Sequence, residues 1–123
     1  MNIANLIAGP QLIGFILLVI GLLQVYFPPK KINPLYGYRT SSSMKNQQTW
    51  DEANRYSARY TAWTGLIIFI IGIAITAVLK IVSLSIEIKI ALDVLAIIAP
   101  GLISMALVIA MTERHLEKFE NNK

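Results

Sequence analysis

Three stretches of this chain, residues 1–29, 60–79 and 94–112, contain no charged side chain. A helix needs about 17–25 predominantly apolar residues to cross the hydrocarbon core of a bilayer, and each stretch reaches that length. A water-soluble domain of 123 residues has too little other material to cover three such helices on every side. In lipid they need no cover, and each satisfies its own backbone hydrogen bonds. The overall balance agrees: 15% of the residues are charged, against about 25% in soluble domains. The expectation is an all-α integral membrane protein, a single domain over residues 1–123. Its spans fall at about 3–27, 60–79 and 90–112, with a polar loop at 30–59 and a tail at 113–123.

The first apolar run has no Lys or Arg in front of it and exceeds the 7–15 residues of a signal-peptide h-region, so it reads as a retained helix. Tyr26 and Phe27 stand where an interfacial aromatic belt belongs, and Pro28-Pro29 ends the helix. Pro10, about two turns into this span, predicts a kink. Gly14 and Gly21 are seven residues apart, as are Gly65 and Gly72 in the second span. Each pair lies on one helix face, and such small-residue stripes let helices pack closely in lipid.

The loop divides in two. Residues 30–43 hold Asn33-Pro34, Gly37 and three serines, so irregular backbone is expected. From Asn46 to Tyr60 there is no Gly or Pro, and Ser43 or Asn46 can cap a helix. Trp50, Ala53, Ser57, Tyr60 and Thr64 share one face of that helix, with Asp51, Glu52, Arg55 and Arg59 on the other. Asp51 and Arg55 form an acid-before-base i, i+4 pair. This amphipathic, membrane-surface helix runs straight into the second span. Residues 80–93 alternate apolar side chains with Ser83, Ser85, Glu87 and Lys89 and read as an extended or interfacial connection. Pro100-Gly101 predicts a kink in the third span, and the tail reads as a solvated helical extension.

Six cations, Lys30, Lys31, Arg39, Lys45, Arg55 and Arg59, lie in the first loop, and Arg114, Lys118 and Lys123 lie in the tail. The second loop has only Lys80 and Lys89. The positive-inside rule therefore places the first loop and the C-terminus in the cytoplasm and the N-terminus outside, in a multi-pass cell-membrane protein. Cations beside membrane spans point to the lipid bilayer as partner rather than to nucleic acid.

Little in the chain suggests catalysis. There is no cysteine, hence no disulfide, thiol chemistry or thiolate metal site. No His or carboxylate cluster has metal-ligand spacing, no nucleophile–base–acid set can be assembled, and no glycine-rich phosphate loop occurs. No cofactor is expected. His115, the single histidine, reads as a solvated tail residue. Asp93 is the one acid beside a span; it is either a partner of the helix dipole at the start of the third span or a polar membrane-edge site for a proton or ion.

Gly37-Tyr38-Arg39-Thr40, followed by Trp50, Asn54 and Arg55, leaves two readings open. In one, Tyr38 and Trp50 anchor at the interface while Arg39 and Arg55 pair with Asp51, Glu52 or lipid phosphate. In the other, the turn folds back on the helix and the two guanidiniums recognise an anion.

The same residues carry a resemblance. Gly37-Tyr38-Arg39-Thr40, Lys45-Asn46, Trp50 and Ala53-Asn54-Arg55 resemble the signature of the SdpI/YfhL-like membrane protein family. That pattern is a G-[YI]-R-T-P turn, a short spacer and W-x-x-[AT]-[NH]-R between two apolar helices. Ser41 stands where the family often has proline, which loosens the turn and leaves the cation in place. The family is named for an immunity protein, a longer chain than this one, that protects cells from a secreted peptide toxin. The resemblance implies a role in toxin immunity or signalling, with Gly37, Tyr38, Arg39, Thr40, Trp50, Asn54 and Arg55 as the set that binds a peptide toxin or a cytoplasmic regulator protein. Two other classes remain: a transporter or channel subunit, which with three spans would have to be a homo-oligomer, and a small enzyme at the cytoplasmic face using Arg39, Glu52 and Arg55.

Overall fold

The structure, a computed structural model, describes residues 9–123. They form three helices in the order α1 (Pro10–Tyr26), α2 (Gln47–Ile81) and α3 (Ile86–Asn121). Among the described residues there is no strand.

Helix α1 begins at Pro10, whose missing N–H costs nothing in a first turn. The kink expected there involves positions 3–8 of the expected span, which lie outside the described residues. Past Tyr26, the Phe27 N–H closes on the Leu23 carbonyl at 2.8 Å, and Pro28-Pro29 cannot continue the helix.

The amphipathic segment and the second span are one 35-residue rod, α2. Asn46 caps it reciprocally: its side chain accepts from the Thr49 N–H at 2.9 Å, and Thr49 Oγ1 accepts from the Asn46 N–H at 3.3 Å. At about 1.5 Å per residue such a rod is roughly 52 Å long, well beyond the ~30 Å of bilayer hydrocarbon. A rod of that length exceeds such a layer by several turns.

The extended connection expected over 80–93 is not present. Only residues 82–85 separate α2 from α3, and Ser85 caps α3 by accepting from the Ile88 N–H at 3.4 Å. Alternation misleads here because lipid accepts apolar side chains on every face of a helix, so period carries little information. Asp93 consequently lies two turns inside α3, half-buried. The helix-dipole effect fades within the first turn, and the first-turn acid of α3 is Glu87. Pro100 sits inside α3 without interrupting it, and Ser104 Oγ donates to the Gly101 carbonyl at 2.9 Å.

The glycine stripes of α1 and α2 meet. A Cβ added to Gly65 would lie 2.3 Å from the Leu18 nitrogen, and one added to Gly14 would lie 2.2 Å from the Phe69 nitrogen. Only hydrogen at these positions allows the backbones this close. Phe15 and Phe69 pack beside the seam with ring centroids 6.2 Å apart. Helix α3 returns antiparallel to α2 and brings its C-terminal turns to the end of the molecule that carries the loop.

Few large side chains are buried, and those that are, Trp50 and Leu116, lie at the loop end. The shafts of α2 and α3 expose Ile67, Ile70, Ile71, Leu95, Leu102 and Met105. Both helices are long and apolar enough to cross a membrane, and α1 is a shorter apolar helix in its described part. An apolar surface this continuous belongs in lipid.

Candidate functional site

The loop is held down from beneath by α2. Trp50 is fully buried, and its indole N–H donates to the Pro29 carbonyl at 2.8 Å. One turn on, the Asn54 side chain donates to the Trp50 carbonyl at 2.9 Å and accepts from the Tyr38 N–H at 2.6 Å. The intervening chain is shaped by Asn33, whose Oδ1 accepts from the N–H groups of Leu35 and Tyr36 at 3.0 and 2.7 Å. Gly37 then adopts φ +105°, a left-handed conformation that glycine takes without strain. A Cβ there would also meet Asn54 Oδ1 at 2.5 Å and Pro29 Cγ at 2.6 Å.

From above, the loop is clamped to α3. The hydroxyls of Tyr38 and Thr40 both donate to Glu113 Oε1 at 2.7 Å. Ser43 is buried; its Oγ accepts from the Thr40 N–H at 2.8 Å and lies 3.0 Å from the Tyr38 carbonyl. The turn thus folds back on the helix, and Tyr38 and Trp50 are structural members of the loop rather than interfacial anchors. Burial raises the Tyr38 phenol pKa above its ordinary value, and the Glu113 charge raises it further. At Glu113 burial pushes upward, but hydrogen bonds from Ser42, Thr40 and Tyr38, with the nearby Lys45 charge, outweigh it and hold the carboxyl below its usual range.

A group with a depressed folded-state pKa stabilises above its unfolded value and loses that contribution as pH falls through the folded value. The clamp should therefore be complete above pH 4.5, the ordinary value for this carboxyl, and should loosen below it. A spin label on Ser41→Cys, in a chain with no other cysteine, should gain mobility as the pH drops below that point. In Glu113→Gln it should be mobile throughout. A label equally immobile at low pH in both proteins would show that Glu113 does not hold the loop.

Arg39 stands between the two clamped residues and is exposed; its guanidinium donates to the Pro34 carbonyl. Arg55 is elsewhere. Instead of the expected Asp51 it grips Glu52 with two hydrogen bonds, of 3.1 and 2.5 Å. Asp51 accepts from Gln47 at 2.7 Å. Glu52 has a second partner in His115, a residue expected in solvent. His115 reaches Glu52 Oε1 with Nε2 at 2.7 Å and stacks on Tyr56, ring centroids 4.1 Å apart. Glu52 thus links α2 to the C-terminal part of α3 while it also holds Arg55. The Arg55 hydrogen bond is the main cause that holds the Glu52 carboxyl below its usual range; burial opposes it and His115 adds to it.

The structure therefore brings Gly37, Tyr38, Thr40, Trp50 and Asn54 into one assembly, with Arg39 on its outer surface. Arg55 lies apart from Arg39 and shares no partner with it, and Asp93 is remote from both. Glu113 and Ser43 join the site, and His115 joins Glu52 and Arg55 beside it, although the sequence does not single them out for these places. The cation pattern held part of the signal for Glu113, since it puts loop and tail on one face, but it does not say which acid of the tail meets the loop. Among the described residues no group of His and acidic side chains is arranged to hold a metal ion.

The SdpI/YfhL protein family model matches residues 30–112, which is the loop together with α2 and most of α3. An uncharacterized protein of Bacillus subtilis (strain 168), YfhL, is 45% identical over 71 residues, covering 58% of this chain and 64% of that relative. The match thus spans somewhat less than two thirds of the relative's length. No solved structure matches. The Gly-Tyr-Arg-Thr turn, the Trp50–Asn54 seat beneath it, α2 and most of α3 fall within the matched segment, with Glu113 one residue past its end, and the chain belongs to the SdpI/YfhL protein family.

Proposed function

We propose that this is a multi-pass cell-membrane protein of the immunity type. It protects the membrane that carries it against a secreted peptide toxin, and the loop on the cytoplasmic face is its interaction site. The observation that carries this reading is the pose of Arg39. Tyr38 and Thr40, on either side of it, both end on Glu113, while Arg39 itself is exposed. A loop clamped in advance spends little ordering entropy when it binds, so its exposed cation is ready to meet a carbonyl or carboxylate. Family membership supports the membrane role. The orientation is supported by the cations, six in the loop and three in the tail against two near the α2–α3 turn.

The test is survival of a toxin-sensitive, immunity-deficient strain producing this chain. The wild type should protect. Arg39→Ala, matched for membrane level, should protect far less, because it removes the exposed cation and leaves the Glu113 clamp intact. Equal survival with both proteins would remove Arg39 from the site, and no protection by either would sink the immunity reading.

A second reading, an oligomeric transporter or channel subunit, has one observation in its favour. A cavity of about 410 Å³ between the three helices is lined in part by Gln24, Ser57, Thr61, Thr64 and Ser104. Asp93 is not among the lining residues, so ion flux through reconstituted protein should be indifferent to Asp93→Asn. The enzyme reading has no comparable support: Arg55 and His115 lower the pKa of Glu52, its candidate base, and so weaken it as a proton acceptor, and family and fold go with a non-catalytic protein.

A further inference from the structure

A second cleft opens on the other side of the loop, between the end of α1 and the first turns of α2. It has a volume of about 410 Å³, and Lys30, Arg55 and Arg59 supply its cations, with Asp51 the one acid. Asp51 is engaged by the Gln47 amide, which also donates to the Lys30 carbonyl at 2.6 Å and so ties the two walls together. Arg55 is neutralised by Glu52, which does not line the cleft. Neither the Lys30 ammonium nor the Arg59 guanidinium has a partner among the described residues.

Two features of this cleft call for an anion. Lys30 and Arg59 both line it without an ion-pair partner among the described residues, which leaves two uncompensated cations at one opening. The walls also contribute guanidiniums from one side and an ammonium from the other, the donors that suit phosphate oxygens.

The depth of the cleft indicates the kind of anion. Arg59 immediately precedes the charge-free stretch of α2, and Lys30 follows the charge-free stretch that ends at Pro29. Tyr26 and Phe27 are exposed beside it, 74% and 70%, where an aromatic belt meets the headgroups. The cleft floor, Gln24 and Val25, belongs to the last turns of α1. The opening thus lies level with the phosphate layer of the bilayer.

We propose that this cleft binds a phosphate group at the membrane surface, delivered as the headgroup of an anionic phospholipid and held by Arg59 and Lys30. The site is separate from the Arg39 surface and does not depend on toxin protection. A lipid seated there would brace α1 against α2 on the face that carries the loop.

The test is native mass spectrometry of the full chain in neutral detergent, with phosphatidylglycerol or phosphatidylcholine added. Phosphatidylglycerol should be retained in preference. Arg59→Gln and Lys30→Gln, made separately, should each weaken retention about fivefold, the change that corresponds to the ~1 kcal/mol of a surface cation beside anionic lipid. Lys89→Gln, near the α2–α3 turn, should have no effect. Both cleft side chains are unpartnered, so the variants should keep the wild-type unfolding midpoint. Inorganic phosphate supplies the second arm. It should compete with phosphatidylglycerol only in large excess, because the free anion lacks the acyl chains that hold a headgroup at this depth. Full displacement by phosphate at the lipid's own concentration would make the free anion the ligand and overturn the headgroup assignment. Equal retention of the two lipids, or losses in Lys89→Gln as large as in Arg59→Gln, would overturn the proposal as a whole.

Discussion

Gly65→Ala is expected to force α1 and α2 apart, and Gly65→Ile to separate them. The added Cβ would stand 2.3 Å from the Leu18 nitrogen and 2.8 Å from the Leu17 carbonyl carbon. Those atoms are backbone, so no side chain can swing away to make room. Overpacking usually costs about 1–3 kcal/mol; with two backbones in contact, alanine should reach the upper part of that range and isoleucine should exceed it. Gly101→Ala on α3 is the matched control. Its added Cβ would meet only Ile13 Cγ2, at 3.8 Å, and the higher helix propensity of alanine should leave it neutral or stabilised by up to ~1 kcal/mol. Thermal unfolding of the two variants in detergent should therefore shift in opposite directions. A Gly65→Ala protein as stable as Gly101→Ala would mean that the α1–α2 seam is not this close.

Trp50→Ala is expected to release the loop. The side chain is fully buried, and aromatic truncation in a packed site costs about 3–5 kcal/mol. Its loss also leaves the Pro29 carbonyl without its donor. Trypsin cleavage at Lys30, Lys31, Arg39 and Lys45 should accelerate strongly in Trp50→Ala while α2 stays in the membrane, held there by its apolar stretch. Trp50→Phe separates the two contributions: it keeps most of the volume and loses the N–H, so it should cost about 1–3 kcal/mol and give intermediate protease sensitivity. Cleavage at the wild-type rate in both variants would remove Trp50 as the seat of the loop.

The same loop shows why some residues are legible in the sequence and others are not. Gly37, Tyr38, Trp50 and Asn54 stand close together in sequence, and their spacing already places a turn over a helix face. Asn54 lies one turn from Trp50, so a side chain seated by one is within reach of the other. Glu113 and His115 are more than 60 residues from their partners Tyr38 and Glu52. Only the length of α2, the tightness of the 82–85 turn and the return of α3 decide that they arrive there. Until that is known, a charged tail offers no reason to prefer one of its acids, and its histidine looks solvated. The misassigned Asp51–Arg55 pair has the same origin. Local spacing favours it, but in the structure Arg55 bonds Glu52, and Asp51 is taken by Gln47.

By itself the sequence determined the features set by solvent preference and local geometry: apolar helices where charge is absent, helices stopped by Pro28-Pro29 and capped by Asn46, glycine stripes suited to close packing, and a motif loop between them. These are decided within a few turns of chain, by burial cost, backbone hydrogen bonding and proline or glycine stereochemistry. The tertiary structure alone decided that residues 80–93 are mainly helix, that Asp93 lies inside α3, and that Tyr38 and Thr40 share Glu113. It also decided that Arg39 and Arg55 bond different partners, the Pro34 carbonyl and Glu52. Those outcomes depend on which of several locally acceptable partners comes within about 3 Å, the reach of a hydrogen bond, and that distance is set by how three long helices pack.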